Sequence, residues 1–220
     1  MGKIIEFLGE KLPDTRFVYK IYPTIEEKRA GDPFHSSSYA CARLKTIYRV
    51  LGEAMPNPSF PHEIVHLVMH AISPIYDWKI ELDTFDGKKQ KETVSMDSIS
   101  YLQEGLALLI DEIVFGNKLR EAGEYRYINE WVHYNQGKHN IKVRQQIEFY
   151  EFCAQNPIYG TPLCGSFCMY LVKQYGLPKF LELYRGASEL FSKEKNILII
   201  EATYSKPLSD LERDWGASLL

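Results

Sequence analysis

The sequence predicts an α+β fold, in which a small N-terminal β-sheet with helices is followed by a mostly helical C-terminal part. Before residue 61, aromatic and β-branched residues recur in short segments that are typical of strands. After it, apolar residues recur at the three- and four-residue spacing of helices that bury one face. We expect one domain over 1–220, with the α+β part at 1–60 and the helical part, including the active-site helix, at 61–220.

The N-terminal part is expected to alternate helices and strands. An amphipathic pattern over 2–12 predicts a helix, and the aromatic and β-branched residues at 17–22 predict a strand. A short helix over 24–29 can be capped by Thr24, with Glu27 completing a capping box. The alternation within 37–50 then indicates one or two further strands.

Helical periodicity dominates the rest of the chain. An apolar helix is predicted over 61–73, a polar surface excursion over 75–95 and a second strong helix over 97–115. Further helices are expected at 126–136, 143–154, 162–175, 178–186, 193–203 and 207–218.

Composition excludes several classes of protein. With 45% hydrophobic and 25% charged residues, the chain is neither disordered nor fibrous. Its net charge of -3, without a basic stripe, argues against a nucleic-acid partner. No run approaches the roughly 18 consecutive apolar residues that a membrane-spanning helix needs, so no membrane span is expected.

The cysteines and the N-terminus favour a cytoplasmic location. None of the four cysteines forms a C-x-x-C pair. Cys164 and Cys168 would share one helix face, either as a metal or redox site or as buried, reduced core residues. Glu6 interrupts the apolar residues near the N-terminus, which is typical of an amphipathic helix rather than of a signal peptide.

The segment His62-Glu63-Ile64-Val65-His66 has the pattern H-E-x-x-H. Because residues four apart lie one above the other on a helix, the two imidazoles can point at one metal ion. The Glu63 carboxylate can reach a water molecule on the same metal. The apolar neighbours predict a buried helix, in which polar side chains need partners. A partly exposed helix start with ordinarily hydrogen-bonded histidines is the alternative.

A zinc site needs a third protein ligand and an open fourth position. The metzincin pattern would place a histidine six residues after His66, but that position is Ile72, which excludes the class. His70 lies one turn beyond His66, and a straight helix cannot easily wrap three successive turns around one ion. We therefore expect His70 to pack or to support a ligand rather than to bind the metal.

Glu104 is the better candidate for the third ligand. It stands in the apolar run 102–110 of the next predicted helix, where a carboxylate needs a partner. Gly105, beside it, costs a helix about 1 kcal/mol relative to alanine. We expect this glycine to let the helix of Glu104 approach the histidine helix closely. A solvated helix face with an incidental glycine is the alternative.

H-E-x-x-H followed by E-G-x-A on a second helix resembles the gluzincin clan of zinc metallopeptidases, and more narrowly the bacterial peptidase MA-like domains. The resemblance covers about 17–220. It continues in Gly165-Ser166-Phe167, Tyr170-Leu171, Tyr175-Gly176, Leu183-Tyr184-Arg185 and the closing stretch 204–215.

The resemblance implies a zincin-like fold and a role for each matching residue. His62, His66 and Glu104 match the ligands of a zinc ion, and Glu63 matches the general base. The donor to the tetrahedral oxyanion would be Tyr159, which stands slightly farther upstream of Gly165 than is usual in the family, or His133. Either residue could instead be a packed aromatic or a surface side chain.

Two supporting features are also expected. Asp111, two turns past Glu104, could orient a metal ligand or could be a surface carboxylate. Members of the clan bind extended peptides along a sheet edge, which would be 37–44 or 46–50 here unless these strands are central.

The function that the resemblance implies is zinc-dependent hydrolysis of a peptide bond in a peptide or protein substrate, with Glu63 as the base. The alternative is an inactive pseudo-peptidase that acts as a binding or structural module. The chain of 220 residues lacks the extra lobes that give larger clan members their substrate clefts.

Overall fold

The computed structural model describes residues 1–11, 16–31, 39–41, 45–51, 60–72, 100–121, 124–135, 157–187 and 193–219. Over these ranges the chain forms nine helices and five strands. The helices are α1 (Gly2–Leu8), α2 (Ile25–Gly31), α3 (Phe60–Ile72), α4 (Ser100–Phe115), α5 (Ile128–Asn135), α6 (Pro157–Tyr175), α7 (Leu177–Gly186), α8 (Lys193–Tyr204) and α9 (Leu208–Ser218). The strands are β1 (Val18–Tyr22), β2 (Tyr39–Cys41), β3 (Thr46–Val50), β4 (Leu119–Glu121) and β5 (Glu124–Arg126).

The N-terminal strands form a three-stranded mixed sheet in the order β1-β3-β2. Strand β3 pairs in parallel with β1, with Val18 opposite Thr46, and antiparallel with β2, with Ala40 opposite Ile47. Four of the five residues of β3 are buried, whereas β1 is largely exposed. The combination of this small sheet with a mostly helical remainder confirms the predicted α+β class.

Helix α4 is the centre of the helical part, because it packs against both α3 and α6. Leu102, Leu106, Leu109 and Ile110 are fully buried at helical spacing, as expected for the apolar face of a core helix. From α6, Phe167 enters the same core. Helix α3 also contacts β2 and β3, so it joins the sheet to the helical part.

The first two helices show how local sequence sets helix ends. The predicted helix 2–12 ends early, at Leu8, because Gly9 adopts a left-handed conformation with φ 67° and its N–H donates to carbonyls of the last turn. Helix α2 begins as predicted after Thr24, whose side-chain oxygen accepts a hydrogen bond from the N–H of Glu27 at 3.2 Å.

Further along the chain, two predictions need correction. The segment before α5 contains the antiparallel hairpin β4–β5, so α5 begins at Ile128 rather than at residue 126. Helix α6 begins at Pro157 and contains Pro162, whereas the predicted helix began at Pro162. The predicted excursion 75–95 and helix 143–154 lie outside the described residues.

None of the helices in the described ranges is both long and apolar enough to cross a membrane.

A buried hydrogen-bond chain ties three helices together. The Nε1–H of Trp215 on α9 donates to Ser166 Oγ on α6 at 3.0 Å. The Ser166 hydroxyl in turn donates to Asn129 Oδ1 on α5 at 2.8 Å. Ser166 is fully buried, so its hydroxyl serves as both acceptor and donor where water is excluded.

Replacing Ser166 by alanine should therefore destabilise the fold, because it leaves the Trp215 donor unpaired in the core. The expected loss is about 1–3 kcal/mol in the free energy of unfolding, measured by urea denaturation. The matched control is Ser218→Ala, which removes a hydroxyl that bonds only the Trp215 carbonyl near the surface. Its effect should stay within about 0.5 kcal/mol, and equal losses in the two variants would contradict a structural role for the chain.

Candidate metal centre

Two histidines of α3 face the same point. His62 and His66 lie one turn apart, and their Nε2 atoms are 3.1 Å from each other. Apolar neighbours on the helix, including Val65 and Val68, are buried in the core and fix the helix rotation. His62 is 2% exposed, so the start of the helix is not a solvated one.

Glu104 reaches the histidine pair from α4. Its Oε2 lies 3.2 Å from His62 Nε2, and its Oε1 lies 3.5 Å from His66 Nε2. These are the three ligands that the sequence predicts, and the packing of α4 on α3 brings them together. Within the described ranges, no second group of three histidine, cysteine or acidic side chains converges in this way.

The spacing of the two imidazole nitrogens and the carboxylate is close to that around a zinc ion. Ligands about 2.0–2.1 Å from a tetrahedral zinc lie about 3.3 Å from one another. Here the two Nε2 atoms are 3.1 Å apart, and each lies 3.2–3.5 Å from a different oxygen of the Glu104 carboxylate. Without a metal, only the protons on the imidazole rings can link the two Nε2 atoms and the carboxylate. In the described structure, His62 Nδ1 is also buried without a hydrogen-bond partner. Two imidazoles and a carboxylate are also a donor set that zinc prefers.

The electrostatics of the cluster favour a cation. Burial lowers the pKa of His66 to about 4, with Glu104 opposing and His62 reinforcing the shift. Burial alone would raise the pKa of Glu104, but the charge of His66 and the hydrogen bond to His62 lower it to about 2. At neutral pH the carboxylate is therefore ionised and His66 is neutral, which is the protonation that metal binding requires.

The pKa of His62 shifts in the opposite direction. Burial lowers it, but the hydrogen bond and charge of Glu104, followed by the charges of Glu63 and Asp111, raise it above its ordinary value. The surrounding carboxylates thus favour positive charge at this position. A metal ion would satisfy the same negative field once His62 loses its proton.

Glu63 occupies the first turn of α3 and is 8% exposed. Burial raises the pKa of its carboxyl group to about 6, with smaller effects from His62, from Glu104 and from the N–H of Ala40, which hydrogen-bonds to it. Ala40 belongs to β2. A main-chain donor leaves no side-chain signature, so this contact could not be predicted from the sequence.

Asp111 is buried rather than on the surface. Its Oδ1 accepts a hydrogen bond from Asn117 Nδ2 at 2.8 Å, and its charge acts on His62. Nδ1 of His62 has no hydrogen-bond partner in the described structure, so Asp111 influences this ligand through its charge and not through a bond to that atom.

Gly105 makes a close helix contact, but not the one that the sequence suggested. Its neighbours are Cys164 and Cys168 of α6, not residues of α3. Both cysteines are buried and neither forms a disulfide within the described residues, and burial raises the pKa of the Cys168 thiol, which favours the interpretation as reduced core residues. The expectation failed because α4 has helices on two sides, and sequence alone does not show which side a glycine faces.

The predicted oxyanion donors stay predictions. Tyr159 lies in the first turn of α6, with its side chain outside the described part. His133 is exposed near the end of α5, a helix that packs on α6. The backbone of His70 belongs to α3, but its side chain is not described.

Among the described strands, β2 is at the edge of the sheet beside the candidate metal centre. Because β3 lies between β1 and β2, the segment 46–50 is a central strand, which was the alternative to an edge. Of the other segment, 37–44, the described residues 39–41 form β2, which contacts α3.

Comparison with known families, with curated proteins and with solved structures finds no match to this chain. Functional inference therefore depends on the geometry of the cluster and on the motif that forms it.

Zinc binding tests the cluster directly. We expect the purified protein to bind about one zinc per chain by mass spectrometry of the metal content, and His62→Ala to lose it, because a four-coordinate site cannot readily replace a protein ligand. His133→Ala, which removes an exposed histidine instead, should retain the metal. Zinc bound equally by both variants would place the metal elsewhere.

Proposed function

We propose that this chain is a zinc-dependent peptidase in which His62, His66 and Glu104 hold the metal and Glu63 is the general base. The observation that carries the proposal is the convergence of the two imidazoles and the Glu104 carboxylate, at 3.1–3.5 Å, beside the buried carboxylate of Glu63. A structural zinc site would use four protein ligands, whereas a catalytic site has three and keeps one position open.

The chemistry assigns separate tasks to the two glutamates. A zinc ion in this cluster would polarise the scissile carbonyl and lower the pKa of a bound water toward about 7. Glu63 accepts the proton of the attacking water and passes it to the leaving amine. Burial raises its pKa to about 6 in the chain without a cation, so the protonated form is less strongly disfavoured than in water, which helps a group that accepts a proton and later releases it.

The position of β2 supports a peptide as the substrate. Among the described strands, β2 is at an edge of the sheet and lies against α3, the helix that carries Glu63. The N–H of Ala40 in this strand hydrogen-bonds to the Glu63 carboxylate. An extended peptide that aligns along such an edge gains main-chain hydrogen bonds, which hold one peptide bond in place. We propose that β2 orients the substrate beside His66 and Glu104, the partly exposed members of the cluster.

The general-base role predicts a separation of activity from metal binding. Glu63→Gln should keep the zinc but lower peptide cleavage at least about 100-fold, because the amide cannot accept the proton. Cleavage is measured by mass spectrometry of new termini in a pool of proteome-derived peptides. Glu26→Gln, which changes an exposed first-turn glutamate of α2, should cleave like the parent.

Two outcomes would overturn parts of this proposal. Equal cleavage by Glu63→Gln and the parent would exclude Glu63 as the base. A parent that binds zinc but cleaves nothing in the pool would support the pseudo-peptidase instead, a binding module that retains the metal centre.

A further inference from the structure

Gly105 marks the place where α4 comes closest to α6. A Cβ atom at this position would lie 2.4 Å from the Cys168 Sγ and 2.7 Å from the Cys164 carbonyl oxygen. Both distances are shorter than side-chain contacts allow. The backbone of α4 therefore lies directly on α6, in a way that only a residue without a side chain permits.

This contact lies next to Glu104 in sequence. Helix α4 packs on both α6 and α3, and Glu104, the residue before Gly105, projects to the histidines of α3. A side chain at 105 would push this turn of α4 away from α6 and so move the backbone of Glu104 relative to α3. The Glu104 oxygens are already within 3.2–3.5 Å of the two Nε2 atoms, so they have little room for such a shift.

Metal sites tolerate little displacement, since bond lengths to a given metal vary by only about 0.2 Å. A Cβ at 2.4 Å from a sulfur atom requires a larger movement than that to reach ordinary contact. The atoms of α6 that the added Cβ would meet have little freedom to move, because Cys168 is fully buried and the Cys164 oxygen belongs to the helix backbone.

We propose that Gly105 is a positioning residue that acts through Glu104: its contact with Cys168 and Cys164 sets the distance between the Glu104 carboxylate and the two histidines. The inference rests on the proposed zinc site. It adds that the spacing of α4 and α6 determines the metal affinity, although neither Gly105 nor α6 touches the metal.

The test compares the zinc affinity of glycine variants by competition with a chelator. Gly105→Ala should bind zinc about 10- to 100-fold more weakly, the range found when residues that support metal ligands are changed. The matched control is Gly165→Ala, at the same pair of helices, where the added Cβ would meet side-chain atoms of Leu108 at 3.1 Å. It should lower stability but leave zinc affinity within about twofold of the parent.

A compensating variant keeps the test informative if Gly105→Ala folds poorly. Cys168→Ala removes the sulfur that is nearest to the added Cβ, so Gly105→Ala/Cys168→Ala should fold better and regain part of the zinc affinity. The recovery should be incomplete because the Cys164 carbonyl remains. Cys168→Ala alone should bind zinc like the parent.

A comparison of stability with zinc affinity separates positioning from general destabilisation. If Gly105 acts through Glu104, Gly105→Ala should weaken zinc binding far more than Gly165→Ala does, even where the two variants lose a similar free energy of unfolding. Equal zinc affinities in the two glycine variants, or parental affinity in Gly105→Ala, would overturn the inference while leaving the zinc site itself intact. A parent that binds no zinc would overturn both.

Discussion

A carboxylate and two imidazoles meet between α3 and α4, two helices whose buried faces are otherwise largely apolar, and the surrounding fold holds them there. Removing such groups from water is unfavourable unless they find partners. His62 has Glu104 as a partner at one ring nitrogen and none at the other in the described structure. A metal ion would resolve this arrangement better than the available protons, because it would contact the two imidazoles and the carboxylate from one position.

Helix α4 connects the stability of the fold to its chemistry. The leucine and isoleucine side chains of α4 are buried in the core, whereas the Glu104 side chain points to the histidines of α3. On the side toward α6, glycine replaces a side chain and lets the backbones touch. The position of the carboxylate therefore depends on packing that extends through α6 to the hydrogen-bond chain from Trp215 to Asn129.

Some features of the site could be predicted from sequence because their cause is local. The four-residue spacing of His62 and His66 fixes them on one helix face, and a carboxylate at Glu104 within an apolar run requires a partner. The capping of α2 by Thr24 is likewise local, and the hydrogen bond from the Glu27 N–H to the Thr24 side chain confirms it. The resemblance to the gluzincins rests on these short motifs.

Features that depend on tertiary neighbours could not be predicted in the same way. The sequence of β3 does not show whether this strand is central or at an edge of the sheet. That depends on whether β1, from a separate segment of the chain, pairs with it. The direction that Gly105 faces depends on which helix packs there, and the burial of Asp111 depends on its enclosure in the fold. Even the early end of α1 reflects a single left-handed glycine that periodicity alone does not reveal.

If two histidines and one carboxylate bind a single zinc, no cysteine should be among its ligands. X-ray absorption at the zinc edge of the metal-loaded protein measures the ligand atoms directly. We expect a first shell of nitrogen and oxygen at about 2.0–2.1 Å, with the outer-shell scattering of two imidazoles. A sulfur contribution at about 2.3 Å would instead place the metal on cysteines and exclude the site at His62, His66 and Glu104.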